Sequence, residues 1–113
     1  MISPYYYPGL ESTEGLSLSP EIFFDKFLVL ASREYGINSY LVISRSRISS
    51  YVSVRQMLAH ALRSRYKISL KAIGILIGNR DHSTILFNIR QHANDYELNS
   101  KYKTIYDKLI SQL

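Results

Sequence analysis

Apolar residues recur at helical spacing in the middle of the chain. Those that share one face are Val54, Met57, Leu58, Ala61 and Leu62. Their separations of three and four positions predict a helix over about residues 52–66. No segment alternates apolar and polar residues for long enough to predict a sheet, so we expect an all-α fold. The 113 residues suit one compact helical domain with a single modest core.

Residues that favour helix starts and ends mark four further helices. They are Ser19, Pro20, Gly36, Ser69, Gly78, Asn79, Asp81 and Ser100. The helices they predict cover about residues 20–35, 70–77, 82–97 and 100–112. The expected core-facing residues include Ile22, Phe23, Phe27 and Leu30 in the first helix and Ile85, Leu86, Ile89, Ala93 and Tyr96 in the fourth. Residues 38–43 are compatible with one more turn, and the serine-rich residues 44–50 are predicted to form a loop.

The first 19 residues differ in composition from the rest. Prolines, glycines, hydroxyl side chains and glutamates predict an irregular arm over residues 1–19, followed by one domain over residues 20–113. The arm contains the cluster Tyr5 to Tyr7, which could pack on the domain or dock a partner. Nothing in the sequence decides between these roles.

Basic residues concentrate in one part of the chain. Between Ser44 and Arg90 there are nine arginines and lysines, and Asp81 is the only acid, which gives a net charge of +8 over 47 residues. Such a local positive field favours a polyanion, above all nucleic acid. A solvated basic face without a ligand is the alternative.

Several classes of protein are disfavoured. There is no cysteine, and the three histidines lack metal-ligand spacing, so we expect neither a metal site nor a cofactor. Consecutive residues at a helix start cannot form a catalytic triad, and Gly74 to Gly78 lacks the residues of a phosphate loop, so we expect no enzyme activity. The apolar runs are too short to span a membrane and no secretion signal is visible, which favours a cytoplasmic, nucleoid-associated protein.

Residues 78–84 predict a DNA-contacting helix-turn-helix. Two helices joined by the turn Gly78 to Asp81 form this motif, and the first residues of the second helix would face the major groove. Donors and acceptors for base edges stand at that position, namely Asp81, His82, Ser83 and Thr84. The serine-rich loop carries Arg45 and Arg47, which could enter a minor groove. Arg55 and Gln56, placed at the start of the second helix, could bind phosphates or base edges.

These motifs resemble a known family. The ordered segments are Arg55-Gln56-Met57, then Ser69-Leu70 with Ile73-Gly74, then Gly78-Asn79-Arg80-Asp81-His82-Ser83-Thr84-Ile85-Leu86. They are similar to the RQM, SL..IG and GGRDHTTVL segments in the C-terminal DNA-binding domain of the bacterial replication initiator DnaA, and the resemblance covers about residues 20–112. It implies a Trp-repressor-like helical fold and binding to duplex DnaA boxes with the consensus TTATCCACA.

The same resemblance implies roles for individual residues. Arg47 would insert into the minor groove, and Arg45 belongs to the same basic loop. Asp81, His82, Ser83 and Thr84 would contact the major groove, and the residues around them would be Arg55, Gln56, Leu70 and Lys71. Arg80, in the turn just before Asp81, is also expected to contact DNA. This chain departs from the family pattern at Val54, Asn79 and Ser83, and the serine lacks the methyl group that a threonine would offer to a thymine. Asparagine can still adopt the turn.

Three functions remain open at this point. The leading prediction is sequence-specific binding of duplex DNA in replication initiation or its regulation, without the ATPase domain of DnaA, for which we expect no room. A second is a module that binds a replication initiator or another protein, and a regulator from a phage or mobile element belongs with it. Binding of single strands or RNA is less favoured because the basic span has few aromatic residues for stacking.

Overall fold

A computed structural model describes residues 19–113, and the elements within that range are helices. The five α-helices are α1 (Pro20–Tyr35), α2 (Ser49–Tyr66), α3 (Leu70–Leu76), α4 (His82–Leu98) and α5 (Ser100–Ser111). A short 3-10 helix, Ser39–Ile43, lies between α1 and α2. The predicted all-α fold is confirmed. The predicted arm and its tyrosine cluster, Tyr5 to Tyr7, lie outside the described residues.

Most of the predicted helix boundaries have the expected caps. The Ser19 hydroxyl accepts a hydrogen bond from the Ile22 amide at 3.2 Å, and Gly36 ends α1 in the left-handed conformation. Ser69 caps α3 in the same way through the amide of Ala72 at 3.0 Å. The second helix departs from the prediction, because α2 begins at Ser49 and not near residue 52.

Helix α2 lies at the centre of the core. Its buried apolar residues are Tyr51, Val54, Met57, Leu58, Ala59, Ala61 and Leu62. They pack with Phe23 and Phe27 of α1, with Ile73 and Ile85 of the helix-turn-helix, and with Leu109 of α5 in one continuous cluster. This cluster fixes the positions of α3 and α4, whose outer surfaces remain available.

The prediction of a core position was wrong for two residues. Ala93 is exposed on α4, and Ile22 is 46% exposed on α1. The buried face of α4 instead includes the polar residues Asn88 and His92, which an apolar pattern cannot identify. These positions lie at i+3 and i+7 from Ile85, so the inner face of α4 is rotated from the predicted one.

The buried imidazole of His92 is packed among aromatic rings. Its Nδ1 atom lies 2.7 Å from the Tyr102 hydroxyl oxygen, and its ring stacks on His60 with the centroids 4.1 Å apart. Burial, and then the nearby imidazole of His60, lower the pKa of His92 to about 4. His92 is therefore neutral in the folded protein near neutral pH.

We expect the free energy of unfolding to fall as the pH decreases from about 6.5 towards about 4. In this window the unfolded chain takes up a proton at residue 92, where a free histidine titrates near pH 6.5, and the folded chain does not. Allowing for solvent screening, we expect a loss of about 2 kcal/mol. Urea unfolding from pH 7 to pH 4.5 measures it. His92→Gln should reduce the change of the free energy of unfolding with pH. His82→Gln, which replaces an exposed histidine, should keep the wild-type change. An equal pH dependence in wild type and His92→Gln would contradict the assignment.

Candidate nucleic-acid interface

Helices α3 and α4 are joined by a tight turn that two left-handed residues make possible. Gly78 has a φ of +80° and Asn79 a φ of +59°, which glycine and asparagine tolerate better than other residues. The Arg80 amide donates to the Gly74 carbonyl oxygen at 2.9 Å and so closes the turn onto α3. The prediction that Asn79 can adopt this turn is confirmed.

Gly74 allows the turn to lie against α3. A Cβ atom at this position would overlap the carbonyl oxygen of Arg80 and would lie 3.6 Å from the side chain of Ile85. Since the obstacle is backbone, it cannot move aside as a flexible side chain would. Glycine at position 74 is therefore required for this close approach of the turn to α3.

The start of α4 is fixed by its cap and is open to solvent. The Asp81 Oδ1 atom accepts hydrogen bonds from the Thr84 amide at 2.9 Å and from the Ser83 hydroxyl at 2.7 Å. The Thr84 amide is the main reason that the pKa of Asp81 is lowered, followed by the Ser83 hydroxyl. Residues 81–84 are all exposed. Asp81 thus holds a negative charge at the helix tip, next to the free side chain of His82.

The loop between the 3-10 helix and α2 is shaped by two serines. The Ser44 hydroxyl donates to the Leu41 carbonyl oxygen at 2.6 Å and accepts from the Ser46 amide at 3.1 Å. Arg45 and Arg47 on this loop are both exposed. The short serine-centred turns give this basic loop a defined conformation.

Arg55 supports the basic loop from inside the protein. Its side chain is only 6% exposed, and its guanidinium donates to four backbone carbonyl oxygens. The distances are 2.5 Å to Val42, 2.6 Å to Ser46, 2.9 Å to Ser44 and 3.2 Å to Leu41. The expected contact between Arg55 and DNA is therefore not what the geometry favours. Because α2 starts at Ser49, Arg55 lies in its second turn, against the 3-10 helix.

Arg80 holds the same loop from the opposite direction. Its guanidinium donates to the Ile77 carbonyl oxygen at 2.5 Å, to that of Ile43 at 3.5 Å, and to that of Ser44. These bonds make Arg80 a bridge between the turn and the basic loop, and they do not favour the contact with DNA that is predicted for it. The Ser44 carbonyl is shared by Arg55 and Arg80, so the loop and the helix-turn-helix are joined.

Arg55 and Arg80 are charged groups in a partly desolvated region. Burial, and then the charge of Arg80, lower the pKa of Arg55 to about 10. Burial, and then Arg45, lower the pKa of Arg80. Among residues 19–113 the two ion pairs join Lys103 to Asp107 and Lys108 to Glu34, so neither neutralises the basic loop. The positive charge of this surface therefore remains available to an anion.

Gln56 also lies inside the protein. It is 5% exposed, and its side-chain nitrogen donates to Asp95 Oδ2 at 2.8 Å. Gln56 thus links α2 to α4, and its burial does not favour the contact with DNA that the sequence predicts. The pattern that resembles RQM is thus formed by a buried arginine, a buried glutamine and the core residue Met57.

Helix α3 contributes exposed side chains next to the tip of α4. Lys71 is exposed and Leu70 is partly buried. Lys71 and Ile75 line an apolar groove together with Asn79 and His82. Ile75, 59% exposed, was not among the predicted site residues, although its position one turn after Lys71 places it on the same face of α3.

Two other properties bear on function. Within residues 19–113 no helix combines the length and apolar character needed to cross a bilayer. The histidines and acids of the described range form no group of three or more placed to hold a metal ion.

The described geometry defines a helix-turn-helix domain with an exposed second-helix tip and a basic loop beside it, the class of domain that presents a helix to DNA. A family model described as "Bacterial dnaA protein helix-turn-helix" matches residues 26–91, which is more than half of the chain. The chain belongs to this family.

Three relatives show how much of a longer protein the chain covers. It is 30% identical over 106 residues to chromosomal replication initiator protein DnaA of Lachnoclostridium phytofermentans, covering 94% of this chain and 22% of that protein. The chain is also 30% identical to the DnaA protein of Chloroflexus aurantiacus, over 71% of this chain and 17% of that protein. It is 30% identical to the DnaA protein of Porphyromonas gingivalis, over 68% of this chain and 16% of that protein. The chain thus spans about a fifth of the length of the curated relatives it matches. No solved structure matches it significantly.

Proposed function

We propose that this chain binds double-stranded DNA sequence-specifically, at sites similar to a DnaA box, in replication initiation or its regulation. The observation that carries the proposal is that one turn, Gly78 to Asp81, holds both an exposed helix tip and, through Arg80, a basic loop. Because the tip of α4 and the basic loop are held in a fixed relative position, they can contact the major groove and the adjacent minor groove of one duplex. With double-stranded DNA as the partner, we expect the protein to be located at the nucleoid.

The proposed contacts fall into two groups. His82, Ser83 and Thr84 meet base edges in the major groove, with Asp81 orienting them as the helix cap. Arg45 and Arg47 approach phosphates or the minor groove, where the negative potential is strong, and Lys71 adds a charge on α3. Arg55, Arg80 and Gln56 act as positioning residues.

Binding to a duplex that contains TTATCCACA, compared with a scrambled duplex of equal composition at several salt concentrations, tests the proposal. We expect a higher affinity for the box at every salt concentration, and a decline of both affinities with salt because phosphate contacts release counterions. Equal affinities for the two duplexes under all conditions would overturn sequence-specific binding.

We expect His82→Ala to reduce the preference for the box by about 1 to 3 kcal/mol, the usual range for one base contact. His82 is exposed at the first position of α4, so the substitution removes a donor and acceptor without opening the core. The measured quantity is the ratio of the two dissociation constants, box and scrambled, at fixed salt. Asn94→Ala, at an exposed position near the other end of α4, is the matched control and should leave the ratio unchanged. An unchanged ratio in His82→Ala would remove this residue from the base-contacting group.

A further inference from the structure

An exposed aromatic ring stands on the outer face of the helix that begins with His82. Phe87 is 59% exposed, and it lies four residues after Ser83 and three after Thr84 on α4. Residues at these separations are neighbours on a helix surface. The ring therefore continues the face that the start of α4 presents to solvent.

The opposite face of α4 prevents this ring from turning inwards. Ile85, Asn88 and His92 are buried against the core, and the Gln56 side chain donates to Asp95 of the same helix. Rotating Phe87 into the core would expose those side chains. The ring therefore remains exposed on the surface. Its contact with water is unfavourable in free energy, and burial against an apolar group of a ligand would remove that unfavourable contact.

The position of Phe87 along α4 matches the wall of a major groove. It lies five residues after His82, about 7.5 Å further along the helix axis. Side chains on a helix point back toward its N-terminus, so the ring lies closer to the tip than its own Cα atom does. The major groove is about 8.5 Å deep, so a helix that enters tip first would keep this ring inside the groove, along the side formed by one strand. The apolar group that DNA presents there is the C5 methyl of thymine, and phenylalanine is one of the side chains suited to it.

A basic residue follows on the same face. Arg90 is exposed and lies three residues after Phe87. The C5 methyl of thymine is the part of the major-groove base edge that lies nearest to the phosphates of its own strand. The order along α4, with polar residues at the tip, then the ring, then a guanidinium, matches the order of base edge, methyl group and phosphate.

We propose that Phe87 is a specificity-determining residue that contacts the methyl group of one thymine in the bound duplex. This inference rests on the proposed function, since it assumes that α4 enters the major groove. It adds an apolar contact to the polar ones at the helix tip.

Replacing each thymine of the TTATCCACA duplex in turn by uracil tests this proposal, because uracil lacks only the methyl group. For the wild-type chain we expect one position at which uracil lowers the affinity by about fourfold, the effect of one buried methyl group. Phe87→Ala should bind the unmodified duplex about tenfold more weakly and should no longer distinguish thymine from uracil at that position. Circular dichroism and thermal unfolding establish that the variant is folded, as expected for an exposed site.

Leu98→Ala is the matched control, since Leu98 is another exposed apolar residue on α4 (81%) but lies eleven residues further from the tip. It should retain both the affinity and the response to uracil. A Phe87→Ala variant that binds as tightly as wild type, or that keeps the wild-type response to uracil, would overturn the proposal. An equal loss on box and scrambled duplexes would also overturn it, because that result indicates contact with a sugar. A wild-type chain that does not distinguish the two duplexes would instead defeat the proposed function.

Discussion

Gly74→Ala is expected to destabilise the protein by about 3 kcal/mol or more, although alanine is the better helix former. The added Cβ atom would overlap the carbonyl oxygen of Arg80, whose own amide is bonded to the Gly74 carbonyl. Relief requires the turn to move away from α3, which breaks that bond and shifts α4. Urea unfolding followed by circular dichroism measures the loss.

The sign of this effect distinguishes packing from helix propensity. Propensity alone would make Gly74→Ala more stable by about 1 kcal/mol. Ile75→Ala, at the neighbouring exposed position on α3, is the control and should change the stability by less than about 0.5 kcal/mol. A rise in the unfolding midpoint of Gly74→Ala would show that the close approach of Arg80 does not constrain this position.

Features that depend on local chemistry could be predicted from the sequence. Ser19, Ser69 and Asp81 cap helices because a short polar side chain reaches an amide three residues away, and this requires nothing from the rest of the fold. Asn79 adopts the left-handed turn for a similarly local reason. These residues place the start of α4 correctly and therefore define the proposed contact surface.

Features that depend on tertiary contacts could not be predicted in the same way. Arg55 is buried because four carbonyl groups of a separate segment converge on it, and no spacing in the sequence encodes that convergence. The inner face of α4 includes Asn88 and His92 because partners from other elements accommodate them, His60 and Tyr102 in the case of His92. In a basic segment, a charged residue with a structural role resembles one that binds a phosphate.

Arg55→Ala is expected to lower the free energy of unfolding by about 3 kcal/mol or more, since it removes four hydrogen bonds to carbonyls of the 3-10 helix and basic loop. The carbonyls of Leu41 and Ser44 keep donors in Ser44 and Arg80, whereas those of Val42 and Ser46 lose the guanidinium that the structure pairs them with. Thermal and urea unfolding measure this loss. Arg47→Ala is the matched control because Arg47 is exposed on the loop that Arg55 supports. Its stability should stay within about 0.5 kcal/mol of wild type.

Arg55→Lys separates the positioning role from a direct phosphate contact. Lysine retains the charge, but its single ammonium cannot donate to carbonyls on several sides as a guanidinium does. If Arg55 only bound a phosphate, Arg55→Lys would retain the binding, and the stability of the variant protein would equal that of wild type. If Arg55 organises the loop, Arg55→Lys should destabilise the protein nearly as much as Arg55→Ala. The variant should also bind the box and the scrambled duplex more weakly by the same factor, because Arg45 and Arg47 would no longer be held at a fixed distance from α4. Wild-type stability in Arg55→Ala with weakened DNA binding would show that Arg55 contacts DNA. Destabilisation of both variants would show that this buried side chain joins α2 to the 3-10 helix and basic loop, which Arg80 in turn joins to the helix-turn-helix.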